Sequence, residues 1–204
     1  MLTQTESENS SDTSESSYQM LVYSGSIISL LGGKIRHRIE DIAWALANTN
    51  RFCGQFGPLS VGQHSCLVSD LCNASYNALH HDGHEALIGD VSTPVKNCLN
   101  KLGNNVWRNF EYDIAKKYRQ YWGVAHPMPV HVKRADEIAM RLEIAFVAPN
   151  SAKSAFIRSG VKPLYDPKWG LTEIWTPDKA FMEFMDRHNK LGPGDRKHAK
   201  KYPS

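Results

Sequence analysis

The segment VHVKRADEIAMRLEIAFVA (130–148) sets apolar side chains at Ala135, Ile138, Ala139, Leu142, Ile144 and Ala145. A half-buried strand needs every second residue apolar; this spacing of three and four suits one side of a helix. The same period returns in IEDIAWALANTNRF (39–52), with Ile39, Ile42, Ala43, Leu46 and Ala47 on one side. It returns again in VGQHSCLVSDLCNASYNAL (61–79), through Cys66, Leu67, Leu71 and Ala74, and ALHHDGHEALIGD (78–90) reads as another helix ended near Gly89. Residues 94–123 are expected to hold one or two helices. TPDKAFMEFMDRHNKLG (176–192) opens with a Thr cap and Pro at the first helical position and closes at Gly192. Only LVYSGSIISLLGG (21–33) suggests a short strand or hairpin, and SGVKPLYDPKWGLTEIW (159–175) reads as loop with a short strand at most. The expected fold is an all-α, single-domain helical bundle.

The length of 204 residues fits one domain with a real core. Residues 19–192 are the expected domain. Residues 1–18, rich in Ser, Thr and acids, predict a disordered acidic tail, and PGDRKHAKKYPS (193–204) a short, mobile basic one. No apolar run approaches the ~20 residues that cross a bilayer, and the N-terminus lacks the basic and apolar regions of a secretory signal. A soluble cytoplasmic protein without membrane contact is therefore expected, with Cys53, Cys66, Cys72 and Cys98 as reduced thiols, since none forms a C-x-x-C pair. The net charge is +3, but residues 1–17 hold four acids and no Lys or Arg, which leaves +7 on the remainder (+3 minus −4). That suits a phosphate-bearing ligand and is too little to indicate nucleic-acid binding.

ALHHDGHEALIGD places three histidines and three carboxylates among apolar residues, where ionisable groups are costly to bury unless paired. On a helix over 78–88, His81, Asp82 and Glu85 share a face, while the adjacent His81 and Asp82 point about 100° apart and reach one ion only from the helix edge. A solvated, histidine-rich helix face is the plain alternative. Two ligands do not close a metal site; His64, one helix earlier, and Asp136, beside the apolar side of 130–148, are the further candidates. Imidazole with carboxylate suits zinc, manganese, cobalt or iron better than calcium. His80 and His84 are expected at the surface or behind the ligands, and His37 and His131 at the surface.

The order H…HD…D resembles the signature of the HD-domain phosphohydrolases. IEDIAWALANTNRFCGQF is similar to that family's opening helix with its Arg-aromatic pair, SVGQHSCLVSDL to its first-histidine helix, HHDGHEALIGDVSTPVK to the H-D-x-x-E…G-D…T-P-x-K block of its deoxynucleotidase branch, and VKRADEIAMRLE to its last-aspartate helix. The resemblance spans about residues 39–145. It implies His64, His81, Asp82 and Asp136 as ligands of a divalent metal (Co²⁺, Mn²⁺, Zn²⁺ or Mg²⁺). It implies Glu85 as the carboxylate that orients or deprotonates the attacking water, with Asp90 near the reacting phosphate. Arg51, Lys96 and Lys133 are implied as phosphate or sugar contacts and Phe52 as the aromatic at the base. The activity implied is hydrolysis of deoxynucleotides, as in 5′-deoxynucleotidases and phage-type dATP triphosphohydrolases. The second is favoured because three cations exceed what one phosphate needs. A homo-oligomer is implied as well, and a non-catalytic nucleotide-binding module is the alternative of another class. The sequence departs from the pattern at Trp44, where His is common, at the Gly83-His84 pair, and at Ser92, where Pro is typical.

Overall fold

The computed structural model describes residues 18–32 and 36–192. The two expected tails, apart from Tyr18, lie outside the described residues. A two-stranded antiparallel hairpin, β1 (Gln19–Leu21) and β2 (Ile27–Ser29), precedes α1 (Ile39–Asn48), one 3₁₀ turn (Arg51–Gly54) and α2 (Val61–Leu71). Then follow α3 (Tyr76–Leu79), α4 (Glu85–Ile88), α5 (Thr93–Leu102), α6 (Val106–Trp122), α7 (Val130–Val147), α8 (Asn150–Arg158) and α9 (Pro177–Leu191). The described chain is all-α apart from the hairpin, and no described helix is long and apolar enough to cross a membrane.

α2 is the hub. It packs against α1, α3, α7 and α9, and eight of its eleven residues are buried. Two apolar clusters meet there: Ile42, Leu46, Val61, Cys66, Leu79, Ile114, Tyr118 and Phe184 in one, and Val68, Ala78, Val132, Ala135 and Ala139 in the other. Gly62 permits the close approach of α2 to α1, because a Cβ there would stand 3.3 Å from the Ala47 backbone. Ser60 caps α2 by accepting from the Gln63 amide at 3.1 Å, and Thr176 caps α9 as its sequence predicts.

Two helical expectations need correction. The segment 61–79 is two helices, because Asn73 and Ala74 adopt left-handed backbone (φ 56° and 57°) and the Ser75 side chain caps a new start at α3. The segment 78–90 is not one helix either. His80 to His84 form turns between α3 and α4, held by bonds from the His81 amide to Ala78 O (3.3 Å), Gly83 to His80 O (3.2 Å) and Glu85 to Asp82 O (2.9 Å). Helix α8 carries no buried residue, and the sequence reading does not mark it. The segment 159–175 is loop without a strand. All four cysteines are free.

Candidate metal centre

Four candidate ligands arrive from three places. His64 comes from the middle of α2, fully buried; His81 and Asp82 come from the turn between α3 and α4; Asp136 comes from the second turn of α7. One donor atom from each lies within 4.8 Å of all the others. His64 Nε2 stands 3.3 Å from His81 Nε2, 3.2 Å from Asp136 Oδ1 and 3.7 Å from Asp82 Oδ2. His81 Nε2 stands 3.0 Å from Asp82 Oδ2 and 3.9 Å from Asp136 Oδ1. Donors each ~2.1 Å from one ion lie about 3.0 to 4.2 Å apart, so these five separations fit a shared divalent ion.

The outer nitrogens of both imidazoles are committed. His64 Nδ1 meets Glu143 Oε1 at 2.6 Å, and His81 Nδ1 meets the Ala78 carbonyl at 2.7 Å. Each pairing puts the proton on Nδ1 and leaves the Nε2 lone pair facing inward. Two lone pairs facing at 3.3 Å need a cation or a shared proton between them. Burial and Arg51 lower the His64 pKa, yet Glu143 and Asp136 outweigh them and hold it up at about 10. Burial would raise the Asp82 carboxylate, but His81 and His64 outweigh it and hold it well below the usual range. The cluster thus attracts positive charge, which a divalent ion can supply in place of protons.

The turn bearing His81 and Asp82 is fixed from α6. Arg119 Nη2 donates to the His81 carbonyl at 2.7 Å, and the Tyr118 hydroxyl pairs with His80 Nδ1 at 2.6 Å. His80 Nε2 reaches His188 Nδ1 of α9 at 2.9 Å. The expectations for three histidines change accordingly: His80 is fully buried, His84 is 6% exposed, and His37 is buried against Trp122, whose Nε1 donates to its Nδ1 at 3.1 Å. His131 is exposed, as expected.

Glu85 opens α4 and is buried, with Oε2 lacking a hydrogen-bond partner among the described residues. Burial, then Asp82 and Asp90, push its carboxyl well above the usual range, against Arg51 and Lys96. Asp90 is raised by burial and Asp82, against Arg51. A carboxyl raised in this way accepts a proton more readily than an ordinary one.

Arg51 reaches this group through a closed loop. Its amide donates to Leu59 O at 2.8 Å and the Val61 amide to Thr49 O at 2.8 Å, which pins residues 49–61 against the start of α2. Nη1 of Arg51 lies 3.9 Å from Asp90 Oδ2. Phe52 and Cys53 adopt left-handed backbone (φ 55° and 52°), a conformation that costs a bulky residue about 1–2 kcal/mol. The Phe52 ring lies 5.5 Å from the Arg51 guanidinium carbon and 5.4 Å from the Phe56 ring, which in turn meets Phe156 of α8 at 5.9 Å.

The two lysines are not gathered in the same way. Lys96 Nζ pairs with Glu111 Oε1 of α6 at 2.5 Å. Lys133 is exposed, one turn before Asp136. Glu143, fully buried, is the site residue that the sequence reading passed over. Its signal was present: it falls seven residues after Asp136, two helical turns along the same face, as a lone charge between Leu142 and Ile144.

No family model matches the chain. It is 29% identical over 161 residues to the uncharacterized protein YfdR of Escherichia coli (strain K12), an alignment that covers 75% of this chain and 83% of that protein. It is 32% identical over 133 residues to an uncharacterized protein of Rhodobacter capsulatus, covering 57% of this chain and 66% of that one. Neither name states an activity.

Proposed function

We propose that this protein is a metal-dependent phosphohydrolase of deoxynucleotides. The observation that carries the reading is the convergence of His64 Nε2, His81 Nε2, Asp82 and Asp136 within 4.8 Å, with the buried Glu85 one turn after Asp82. A divalent ion held there supplies Lewis acidity and positive charge against the phosphoryl oxygens. Water attacks the α-phosphorus, the new P–O bond forms, and the P–O5′ bond breaks. Glu85 orients the water and takes its proton. Glu85 returns that proton to the departing 5′-oxygen, which leaves as the alcohol, and Asp90 stands near the reacting phosphate. Arg51 binds the non-bridging oxygens, Lys96 and Lys133 add charge at the rim, and Phe52 lies against the base.

Mono- and triphosphates share this step and differ in what leaves, phosphate or tripolyphosphate. The ion pairs bear on the choice. Arg51 already faces Glu143 and Asp90, and Lys96 already faces Glu111, so the surplus of positive charge that favoured a triphosphate is largely compensated. This supports the deoxynucleoside monophosphate as the first substrate and dATP as the second reading. The test is a panel of ribo- and deoxynucleoside mono-, di- and triphosphates with Mn²⁺, Co²⁺, Zn²⁺ or Mg²⁺, with products separated by chromatography. Deoxynucleoside plus phosphate is expected, and it should vanish with chelator. Tripolyphosphate release would establish the second reading, and a metal-loaded protein inert on the whole panel would leave only nucleotide binding.

A further inference from the structure

His64 and Arg51 belong to different segments, yet both end on one carboxylate. Glu143 Oε1 lies 2.6 Å from His64 Nδ1, while Oε2 accepts from Arg51 Nη2 at 3.2 Å and from Nε at 3.3 Å. The Glu143 side chain is wholly buried, and the Arg51 side chain is 12% exposed. Each oxygen of Glu143 therefore serves a different partner.

The division has a consequence at each end. At His64 the carboxylate fixes the proton on Nδ1 and turns the Nε2 lone pair toward His81 Nε2 and Asp136 Oδ1. At Arg51 it occupies the Nε–Nη2 edge, so the guanidinium presents Nη1 on its other side, toward Asp90. There the Nη1–Oδ2 separation of 3.9 Å is too long for a direct hydrogen bond. Among the described residues Nη1 makes no hydrogen bond, which leaves it as the donor for a phosphoryl oxygen.

We infer that Glu143 is a positioning residue that couples the metal centre to the phosphate grip, because one buried carboxylate sets both the tautomer of His64 and the edge that Arg51 presents. The Arg51 half rests on the proposed phosphohydrolase reading; the His64 half does not.

Glu143→Gln keeps the size and breaks the double role. An amide has one acceptor, so a donor must face either the His64 N–H or the Arg51 guanidinium. Titration of Co²⁺ alone into the folded variant should show affinity reduced about tenfold or more, with an altered Co²⁺ absorption spectrum. At saturating Co²⁺ the variant should raise KM for a deoxynucleoside monophosphate at least fivefold and change kcat less than threefold. In an Arg51→Met background the same substitution should add less than twofold to KM, since Arg51 is its route to the substrate, while Co²⁺ affinity still falls. Wild-type Co²⁺ affinity in Glu143→Gln, or fully additive effects on KM, would overturn the inference. Should Glu143→Gln fail to fold, Glu143→Asp keeps the charge, shortens the reach and carries the same measurements. A metal-binding protein without turnover would defeat the phosphohydrolase reading, and the Co²⁺ titration would still decide the His64 half.

Discussion

Gly83→Ala is the sharpest test of how the turn bearing the candidate ligands is built. A Cβ at position 83 would lie 2.5 Å from Tyr118 Cε1 and closer still to Cζ and the hydroxyl. Carbon atoms settle at about 3.5–4.0 Å, so the ring or the turn must move by roughly 1 Å or more. Neither moves freely. Tyr118 is fully buried, its hydroxyl pairs with His80, and the next residue, Arg119, holds the His81 carbonyl. Overpacking of this kind costs about 1–3 kcal/mol, and loss of the Tyr118–His80 bond adds about 1 kcal/mol. The expected destabilisation is about 2–4 kcal/mol, which in a chain of this size lowers Tm by roughly 5–15 °C. Urea unfolding followed by circular dichroism reads the change at constant m-value. Tyr118→Phe alone should cost only about 1 kcal/mol and should not rescue Gly83→Ala, because the ring carbons still collide. A Gly83→Ala protein within about 0.5 kcal/mol of wild type would refute the reasoning, since that is the scatter of an ordinary surface substitution.

Glu85→Gln should fold and retain its metal while turnover falls about 100-fold or more, measured as phosphate release; a near wild-type rate would remove the role given to that carboxylate. Burial lowers the His37 pKa from 6.5 to about 4, against a backbone hydrogen bond and Asp41. Between these values the unfolded chain binds more protons at His37 than the fold does, so the stability His37 contributes is full above about pH 6.5 and falls by about 3 kcal/mol as pH drops toward 4. His37→Asn should flatten that slope in unfolding experiments, and an unchanged slope would place its cause elsewhere. Thr176→Ala should cost about 1 kcal/mol, because the Thr176 hydroxyl accepts from the Lys179 amide at the start of α9; an unchanged unfolding midpoint would contradict the cap.

Much of this arrangement is legible in the sequence, and the rest is hidden for physical reasons. Apolar period marks α1, α2 and α7 because each buries a side against a neighbour, and the Thr-Pro start and closing glycine mark α9. Spacing placed His64, His81, Asp82 and Asp136 as candidates, and tertiary packing brings them together. Helix α8 buries no residue fully and touches Phe56 through Phe156, and the sequence reading does not mark it. Nor does apolar period register where a helix is broken by packing. The apolar residues of 61–79 continue through Asn73 and Ala74 although the backbone turns left-handed there, and the bend at His80–His84 places Gly83 directly against Tyr118. His37 is expected at the surface and His80 and His84 at the surface or behind the ligands; all three are buried. The partners of His80 (Tyr118 and His188) and of His37 (Trp122) lie far along the chain, which no local pattern reports. The same distance concealed the double role of Glu143.

The central claim is that His64, His81, Asp82 and Asp136 hold one divalent ion. Equilibrium dialysis of the wild-type protein and of Asp136→Ala against Mn²⁺ or Co²⁺, with metal content read by mass spectrometry, tests it directly. The account predicts one ion per chain in the wild type and loss of that ion in the folded variant. A wild-type protein that retains no ion, or a variant that retains as much as the wild type, would contradict it.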